Sequence, residues 1–202
     1  MHAHDTLRAI EASGTKVCLV SKRWEPARVQ QLYDAGFRRF AESRAGALAL
    51  RADALPDDIE WHFVGNIQRR DLSTILRHAA MIQSFDRIDL LDRLADSGVE
   101  FLLQVDIAGR EGRNGIQPAE IPAALDAVEA GGLECSGLMA HPPLVDDEAQ
   151  RAVWFARMSE LRTEHQTRHP SLEELSMGTS DDHALAIEYG ATMVRLGRLL
   201  TS

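Results

Sequence analysis

Cysteine is scarce in this sequence, and long apolar runs are absent from it. Only two cysteines occur, Cys18 and Cys135, and both lie in apolar segments far apart along the chain. Two such residues do not make a disulfide framework, and buried free thiols suit a reducing compartment. No apolar stretch approaches the roughly 18 residues of a membrane-spanning helix. The first residues contain no basic segment followed by an apolar one, which a secretory leader needs. We therefore expect a cytoplasmic protein with no membrane partner.

An excess of positive charge is also absent. The chain of 202 residues carries 22 lysines and arginines against 31 aspartates and glutamates, a formal net charge of −9. Nothing in that balance neutralises a run of phosphates, so we expect no nucleic-acid partner. A hydrophobic content of 45% nevertheless supplies a substantial core, and the length favours a single domain over residues 1–202.

Short β-rich runs alternate with helix-period segments eight times along the chain. The predicted strands are residues 16–21, 37–40, 60–64, 81–84, 101–106, 133–139, a short run ending at Ser176, and 192–195. Strict alternation predicts a parallel sheet, and eight repeats favour a single-domain α/β fold, the closed (β/α)8 barrel of the TIM type. An open, doubly wound sheet is the alternative, but no Gly-x-Gly-x-x-Gly turn follows the first strand.

Helix boundaries carry sequence signals of their own. Gly36 lies just past an apolar helical stripe, where a C-cap glycine is expected. Asp86 is a candidate N-cap for the helix after the fourth strand, and Ser180 or Asp181 for the helix after the seventh. These signals predict where three of the helices begin or end.

Lys22 directly follows the first predicted strand, at the end of the barrel where such folds carry their chemistry. A lysine in this position is suited to forming a Schiff base with an aldehyde. Desolvation at the barrel mouth would favour the neutral, nucleophilic amine. The alternative is an exposed lysine that merely ends a strand, and position alone does not decide between the two.

Hydroxyls and glycines follow the seventh and eighth predicted strands, which is the usual phosphate site of these barrels. Ser176 and Thr179 supply hydroxyls, and Gly178 and Gly197 let backbone N–H groups approach an anion. Each turn alone is ordinary. Together with a Schiff-base lysine across the barrel mouth, they form what an aldehyde-bearing phosphate cofactor requires.

Several stretches resemble one known family and occur in that family's order. They include Val20-Ser21-Lys22, residues 61–68, residues 175–178 and residues 193–197. They resemble the pyridoxal phosphate homeostasis proteins, which are related to the N-terminal barrel of alanine racemase. The Trp-His-Phe and Ser-Met-Gly segments are the most specific. The resemblance covers nearly the whole chain and implies a barrel of fold type III that binds pyridoxal 5′-phosphate (PLP).

The resemblance also implies roles for individual residues. It implies that Lys22 carries PLP as a Schiff base and that Ser176 and Gly197 bind its phosphate. It places Arg195 opposite the pyridine nitrogen, where a permanent cation disfavours protonation and makes the ring a weak electron sink. The full candidate cofactor-binding set is Lys22, Ser43, His62, Met139, Ser176, Gly178, Thr179, Arg195, Gly197 and Arg198.

Two members of this set depart from the family pattern. Ser43 stands where the family usually has an asparagine, and its shorter side chain is expected to reach the cofactor only through water. Arg198 replaces a phosphate-binding hydroxyl, and a charged donor there either compensates or points away. We therefore expect weaker PLP binding than is typical of the family.

Three functions are compatible with these residues. The first is a PLP carrier that is not an efficient enzyme, with PLP-dependent apoenzymes as partners, and the second is a low-activity PLP-dependent amino-acid racemase. The third is a Schiff-base aldolase without cofactor. A two-base racemase needs an acid or base on each face of the substrate carbon, whereas Tyr33 and Tyr189 have the spacing of core residues. His165 and His169 have no evident third ligand, so we expect no metal site.

Overall fold

The computed structural model describes residues 3–110, 112–143 and 145–200. Its strands are β1 (Lys16–Val20), β2 (Arg39–Glu42), β3 (Glu60–Phe63), β4 (Met81–Phe85), β5 (Glu100–Val105), β6 (Gly137–Ala140), β7 (Glu174–Ser176) and β8 (Met193–Leu196). Its α-helices are α1 (Ala3–Ala12), α2 (Pro26–Asp34), α3 (Ala45–Ala52), α4 (Leu72–His78), α5 (Ile121–Ala130), α6 (Glu148–Gln166) and α7 (His183–Glu188). Short 3-10 helices cover Ile88–Arg93, Pro118–Glu120 and Arg198–Leu200. None of the described helices is long and apolar enough to cross a bilayer.

The eight strands form one closed parallel barrel in chain order. The last strand returns to the first, because Lys16 pairs with Met193 and Leu19 with Leu196. This closure confirms the predicted (β/α)8 barrel and rules out the open sheet. The predicted domain extent of 1–202 reaches beyond the described residues and stays a prediction.

Alternate residues of each strand face opposite sides of the barrel wall. On β1, Val17 and Leu19 belong to the large core cluster that packs the helices onto the barrel. Cys18 lies between them and faces a smaller cluster with Met81 and Met193. This period of two defines an inner and an outer side for every strand. The inward positions nearest the carboxyl ends are the ones available to a site.

Two strands begin later than predicted because the residue thought to start each one closes the preceding helix. After α2, the Gly36 N–H bonds the Tyr33 carbonyl (2.8 Å) and the Phe37 N–H bonds the Leu32 carbonyl (3.1 Å). Gly36 has φ +97°, so this is a Schellman C-cap, as predicted for that glycine. Leu133 closes α5 through the same bond pattern. Apolar side chains at such positions resemble the first residue of a strand in sequence.

The predicted helix N-caps are wrong. The Asp86 carboxylate accepts the Gly115 N–H (2.9 Å) instead of capping the following helix, which is a 3-10 helix. The N-cap of α7 is Asp182 rather than Ser180 or Asp181. The Ser180 hydroxyl accepts the Gly197 N–H and the Asp181 carboxylate pairs with Arg198, so contacts with other loops prevail over local capping at the predicted residues.

Candidate functional site

An open cavity of about 770 Å³ lies at the carboxyl end of the barrel. This volume falls within the roughly 300–1,000 Å³ typical of small-molecule sites. Loops after seven of the eight strands contribute to its wall. From β1 to β8 they include Lys22, Ser43, Gly65, Asn66, Asp106, Arg110, Arg113, His141, Gly178, Thr179, Gly197 and Arg198. This is the end of the barrel where the sequence predicted the site.

Eight of the ten predicted residues line this cavity. They are Lys22, Ser43, Met139, Gly178, Thr179, Arg195, Gly197 and Arg198. The other two, His62 and Ser176, lie in the barrel interior and are buried. The structure therefore brings the predicted set to one place, but at two depths.

Lys22 projects from the turn after β1 and is exposed at the cavity. The predicted desolvation of its amine is therefore wrong for this structure, because the side chain keeps contact with solvent. The chain has only one other lysine, Lys16. Lys16 begins β1 at the opposite end of the barrel, where it pairs with Glu174. Lys22 is thus the lysine amine that faces the cavity.

Backbone N–H groups converge at the corner of the cavity after β7 and β8. The Thr179 N–H donates to Asp182 Oδ1 at 2.6 Å, and the Gly197 N–H donates to Ser180 Oγ at 3.2 Å. Gly178 has φ +90°, and a Cβ there would lie 2.5 Å from the Ala186 Cβ. The corner consequently requires glycine, and its two N–H groups bind oxygen atoms of the chain in an arrangement that could also accept the oxygens of a phosphate.

Arg195 forms the floor of the cavity and is buried. Its guanidinium donates to the Ser176 hydroxyl (2.7 Å) and to the Ala140 carbonyl (2.8 Å). Burial lowers the pKa of Arg195 to about 10, so the group stays cationic at neutral pH. Both recorded partners are neutral, and among the described residues no carboxylate forms an ion pair with it. A buried cation without a counter-ion favours an anion or a strong acceptor in the cavity above it.

A buried chain of hydrogen bonds holds Arg195 from below. Ser176 accepts from Arg195 and donates to Gln83 Oε1 at 2.7 Å. Gln83 Nε2 lies 2.7 Å from His62 Nδ1. Burial lowers the pKa of His62 to about 3, so its ring is neutral and accepts this bond. The Ser176 hydroxyl is thus engaged beneath the cavity floor, and its contact with a phosphate stays a prediction.

Gln83 was missed by the sequence reasoning, although a signal for it exists. A glutamine in the middle of the apolar strand β4 alternates with Met81, which faces the barrel interior. A polar side chain in that position must find a partner inside the barrel. The cavity-lining residues Asn66, Gln104, Arg110 and Arg113 were also missed. They belong to loops or strand ends whose sequence carries no comparable pattern.

Ser43 is presented to the cavity by close contact between two loops. A Cβ at Gly65 would lie 2.0 Å from the Ser43 carbonyl oxygen, so only glycine allows this approach. The Ser84 hydroxyl donates to the Gly65 carbonyl at 2.7 Å and fixes the second loop. The contact between these two loops therefore fixes the position of the Ser43 backbone at the cavity wall.

The cavity is more basic than the chain as a whole. Among the residues that the structure describes, its wall carries the six basic residues Lys22, Arg23, Arg110, Arg113, Arg195 and Arg198 and the three acidic residues Asp106, Asp181 and Asp182. Arg198 and Asp181 form an ion pair at the rim. A surplus of positive charge in a protein of net charge −9 attracts an anionic ligand to this cavity.

The remaining titratable candidates lie elsewhere. Tyr33 packs against the core and donates its hydroxyl to Asp58 at 2.6 Å, on the outside of the barrel. Tyr189 follows α7 and also packs against the core, as predicted. His169 does approach two carboxylates, Asp126 and Glu129, but these are exposed. Their charges are already paired with an arginine of the same surface.

Comparisons with known proteins agree on the family. The family described as "Alanine racemase, N-terminal domain" matches residues 2–202. A pyridoxal phosphate homeostasis protein from Aquifex aeolicus is 31% identical over 194 residues, which is 92% of this chain and 85% of the relative. One from Deinococcus radiodurans is 39% identical over 166 residues, or 79% of this chain and 75% of the relative.

Solved structures agree with the fold. PipY of Synechococcus elongatus with PLP bound superposes with a TM-score of 0.86 at 28% identity, covering 100% of both chains. The same protein without PLP gives a TM-score of 0.89. A lysine/ornithine decarboxylase from Vibrio vulnificus gives 0.77 at 15% identity, and the match covers 98% of this chain but 61% of the decarboxylase. At that identity the last similarity shows the fold alone.

Proposed function

Because this chain belongs to the alanine racemase N-terminal domain family, and within it to the pyridoxal phosphate homeostasis proteins, we propose that it binds PLP through a Schiff base on Lys22. We also propose that it serves as a cytoplasmic PLP carrier. The observation that carries the proposal is the cavity that Lys22 shares with the Gly178–Gly197 corner and the Arg195 floor.

The small number of lysines in the chain supports Lys22 as the residue to which PLP attaches. A Schiff base to a side chain needs a lysine, and this chain has Lys16 and Lys22 alone. Lys16 is engaged with Glu174 at the far end of the barrel. Exposure of Lys22 also suits a carrier, because water or the amine of a partner can reach the carbon–nitrogen double bond and release the cofactor.

The phosphate corner and the floor fit the two other polar parts of PLP. The N–H groups of Thr179 and Gly197 would bind the phosphate once Asp182 and Ser180 turn away from them. Arg198 would reach it by exchanging its contact with Asp181. Arg195 would face the pyridine nitrogen and is held in place by hydrogen bonds that run through Ser176, Gln83 and His62.

The same cation argues for a carrier rather than an efficient enzyme. When bound, PLP acts as an electron sink for a carbanion, and a guanidinium that stays charged at neutral pH keeps the ring nitrogen unprotonated and the sink weak. Neither Tyr33 nor Tyr189 lines the cavity. A racemase would therefore have no tyrosine as the second acid or base opposite Lys22, which argues against fast turnover.

The setting proposed for this carrier is the cytoplasm, with PLP-dependent apoenzymes as recipients. Its two cysteines, Cys18 and Cys135, are free and buried. Burial raises the pKa of Cys18 to about 12 and that of Cys135 to about 11, so both remain unreactive thiols. Two unpaired thiols suit a reducing compartment.

A spectrum tests the cofactor assignment. Purified protein mixed with PLP should develop a Schiff-base absorption band at the violet edge of the visible, and Lys22→Ala should lack it. Absence of the band in the unaltered protein would overturn the assignment. Chiral analysis after incubation with L-amino acids tests the carrier role, which is contradicted if D-amino acids form at ordinary enzymatic rates, on the order of 1–1,000 per second.

A further inference from the structure

The turn that carries Lys22 is held at both ends by one buried ion pair. At its start, the Ser21 hydroxyl donates to Glu42 Oε1 at 2.7 Å. At its end, the Trp24 carbonyl accepts from the Arg51 guanidinium. Arg51 Nε in turn lies 2.9 Å from the same oxygen of Glu42. The turn itself is closed by the Trp24 N–H on the Ser21 carbonyl at 2.8 Å. Only Lys22 and its neighbour are left to project from it.

This ion pair is poorly built for stability alone. The Glu42 side chain is 0% exposed and that of Arg51 is 14% exposed. Within the described part of the chain, Glu42 Oε2 and Arg51 Nη1 are buried and have no hydrogen-bond partner. A buried ion pair is weak evidence for stability, because desolvation of its two charges offsets their attraction, and a geometric task explains this one better.

We infer that Glu42 and Arg51 are positioning residues that fix the Lys22 turn, and with it the direction of the amine toward the cofactor aldehyde. Glu42 ends β2 and Arg51 lies in the last turn of α3. The position of the amine would therefore depend on two elements other than its own strand. Neither residue lines the cavity, and they act through the Ser21 hydroxyl and the Trp24 carbonyl. This inference rests on the proposed Schiff base.

The barrel contains a matched control for this arrangement. Glu174 is also buried, also pairs with a basic residue, Lys16, and also accepts from a hydroxyl, that of Thr192 at 2.7 Å. Its contacts join strands at the opposite end of the barrel. Glu42→Gln and Glu174→Gln therefore make the same chemical change in similar surroundings. Only the first removes the anion that holds Arg51 beside the Lys22 turn.

Two readouts test the inference, one of them independent of cofactor. The first is the rate at which the absorption band forms after PLP is mixed with equal amounts of folded protein. The second is hydrogen exchange of the Trp24 amide in protein without added PLP. We expect Glu42→Gln to slow band formation at least about tenfold, since small misplacements of a reacting group cost that much, and to speed exchange at Trp24. Glu174→Gln should change neither.

Arg51→Lys and Ser21→Ala keep the test decisive if Glu42→Gln does not fold. Arg51→Lys keeps the charge but cannot bond Glu42 and Trp24 together, and it should slow the band as Glu42→Gln does. Ser21→Ala removes one hydroxyl only and should give a smaller slowing. Equal rates in Ser21→Ala, Arg51→Lys and the unaltered protein would overturn the inference while leaving the Schiff base intact. No band in the unaltered protein would overturn the proposed function and this inference with it.

Discussion

Both ends of the barrel hold a buried glutamate that accepts hydrogen bonds from a hydroxyl and a basic side chain. At the amino end Glu174 accepts hydrogen bonds from the Thr192 hydroxyl and the Lys16 amine, and these contacts join β7, the start of β8 and β1. At the carboxyl end Glu42 accepts hydrogen bonds from the Ser21 hydroxyl and from an arginine of α3, and these contacts hold the loop after β1. The same two kinds of donor therefore connect strands at the amino end of the barrel and hold the loop that carries Lys22 at the carboxyl end. What differs is the surrounding structure.

The largest expected difference between the two ends concerns the lysines. Lys22→Arg keeps the positive charge but cannot form the Schiff base, so the PLP absorption band should disappear entirely. Lys16→Arg makes the same change at the amino end and should leave the band intact. Absorption titrations with PLP compare the two variants directly. A band that survives in Lys22→Arg and is lost in Lys16→Arg would reverse the comparison.

The titration of His62 reports whether the barrel interior beneath the cavity excludes solvent. Its pKa of about 3 lies below the ordinary value near 6.5, so the unfolded chain binds a proton there that the folded chain does not. Stability should therefore fall as the pH drops from about 6.5 toward 3, by up to about 5 kcal/mol from this group. His62→Gln should remove this part of the pH dependence, measured by urea unfolding at several pH values. An identical pH profile in the variant would mean that solvent reaches the ring.

Substitution of a glycine at either end should lower the free energy of unfolding by a similar amount, but only the substitution at the carboxyl end should weaken PLP binding. Gly178→Ala forces a Cβ to within 2.5 Å of Ala186 at φ +90°, and should cost about 3 kcal/mol of unfolding free energy. Gly137→Ala would place a Cβ 2.0 Å from the Glu174 carbonyl and should cost at least as much. Only Gly178→Ala should also weaken PLP binding per folded molecule, as measured by equilibrium titration. Equal affinity in both variants would contradict the phosphate corner.

The smallest expected effect concerns the floor of the cavity. Arg195→Met removes the buried cation, and a lost bond to a charged group of about 1.5–3 kcal/mol corresponds to roughly ten- to hundredfold weaker PLP binding. Lys16→Met removes a cation at the other end and should leave the affinity unchanged. Titration of both variants checks this. An Arg195→Met protein of unaltered affinity would show that the guanidinium does not contact the cofactor.

The sequence predicted the barrel well because periodicity reports directly on a parallel sheet. All eight strands were located, and the Gly36 cap was placed correctly. The starts of β2 and β6 were wrong because Phe37 and Leu133 are apolar for a different reason, as the last residues of helix C-caps. The predicted N-caps failed because Asp86 and Ser180 accept the N–H groups of Gly115 and Gly197, and because Asp181 pairs with Arg198.

Most of the candidate site residues do line one cavity, but the sequence did not predict how deep each of them lies. A period of two shows that Ser176 and Arg195 face inward, yet the stagger of the barrel strands decides which of them reaches the surface. Ser176 lies beneath the floor, and Gln83, far away in the chain, takes up its hydroxyl. The turn that carries Lys22 is bonded through the Ser21 hydroxyl to Glu42, which lies on another strand. No local pattern contains such long-range contacts.

One measurement tests the central claim most directly. Protein treated with PLP is reduced with borohydride, which makes a Schiff base permanent, and is then digested and mapped by mass spectrometry. We predict a single stable adduct on Lys22 and none on Lys16. An adduct on Lys16 or on the N-terminal amine instead, or no adduct on native protein, would contradict the account.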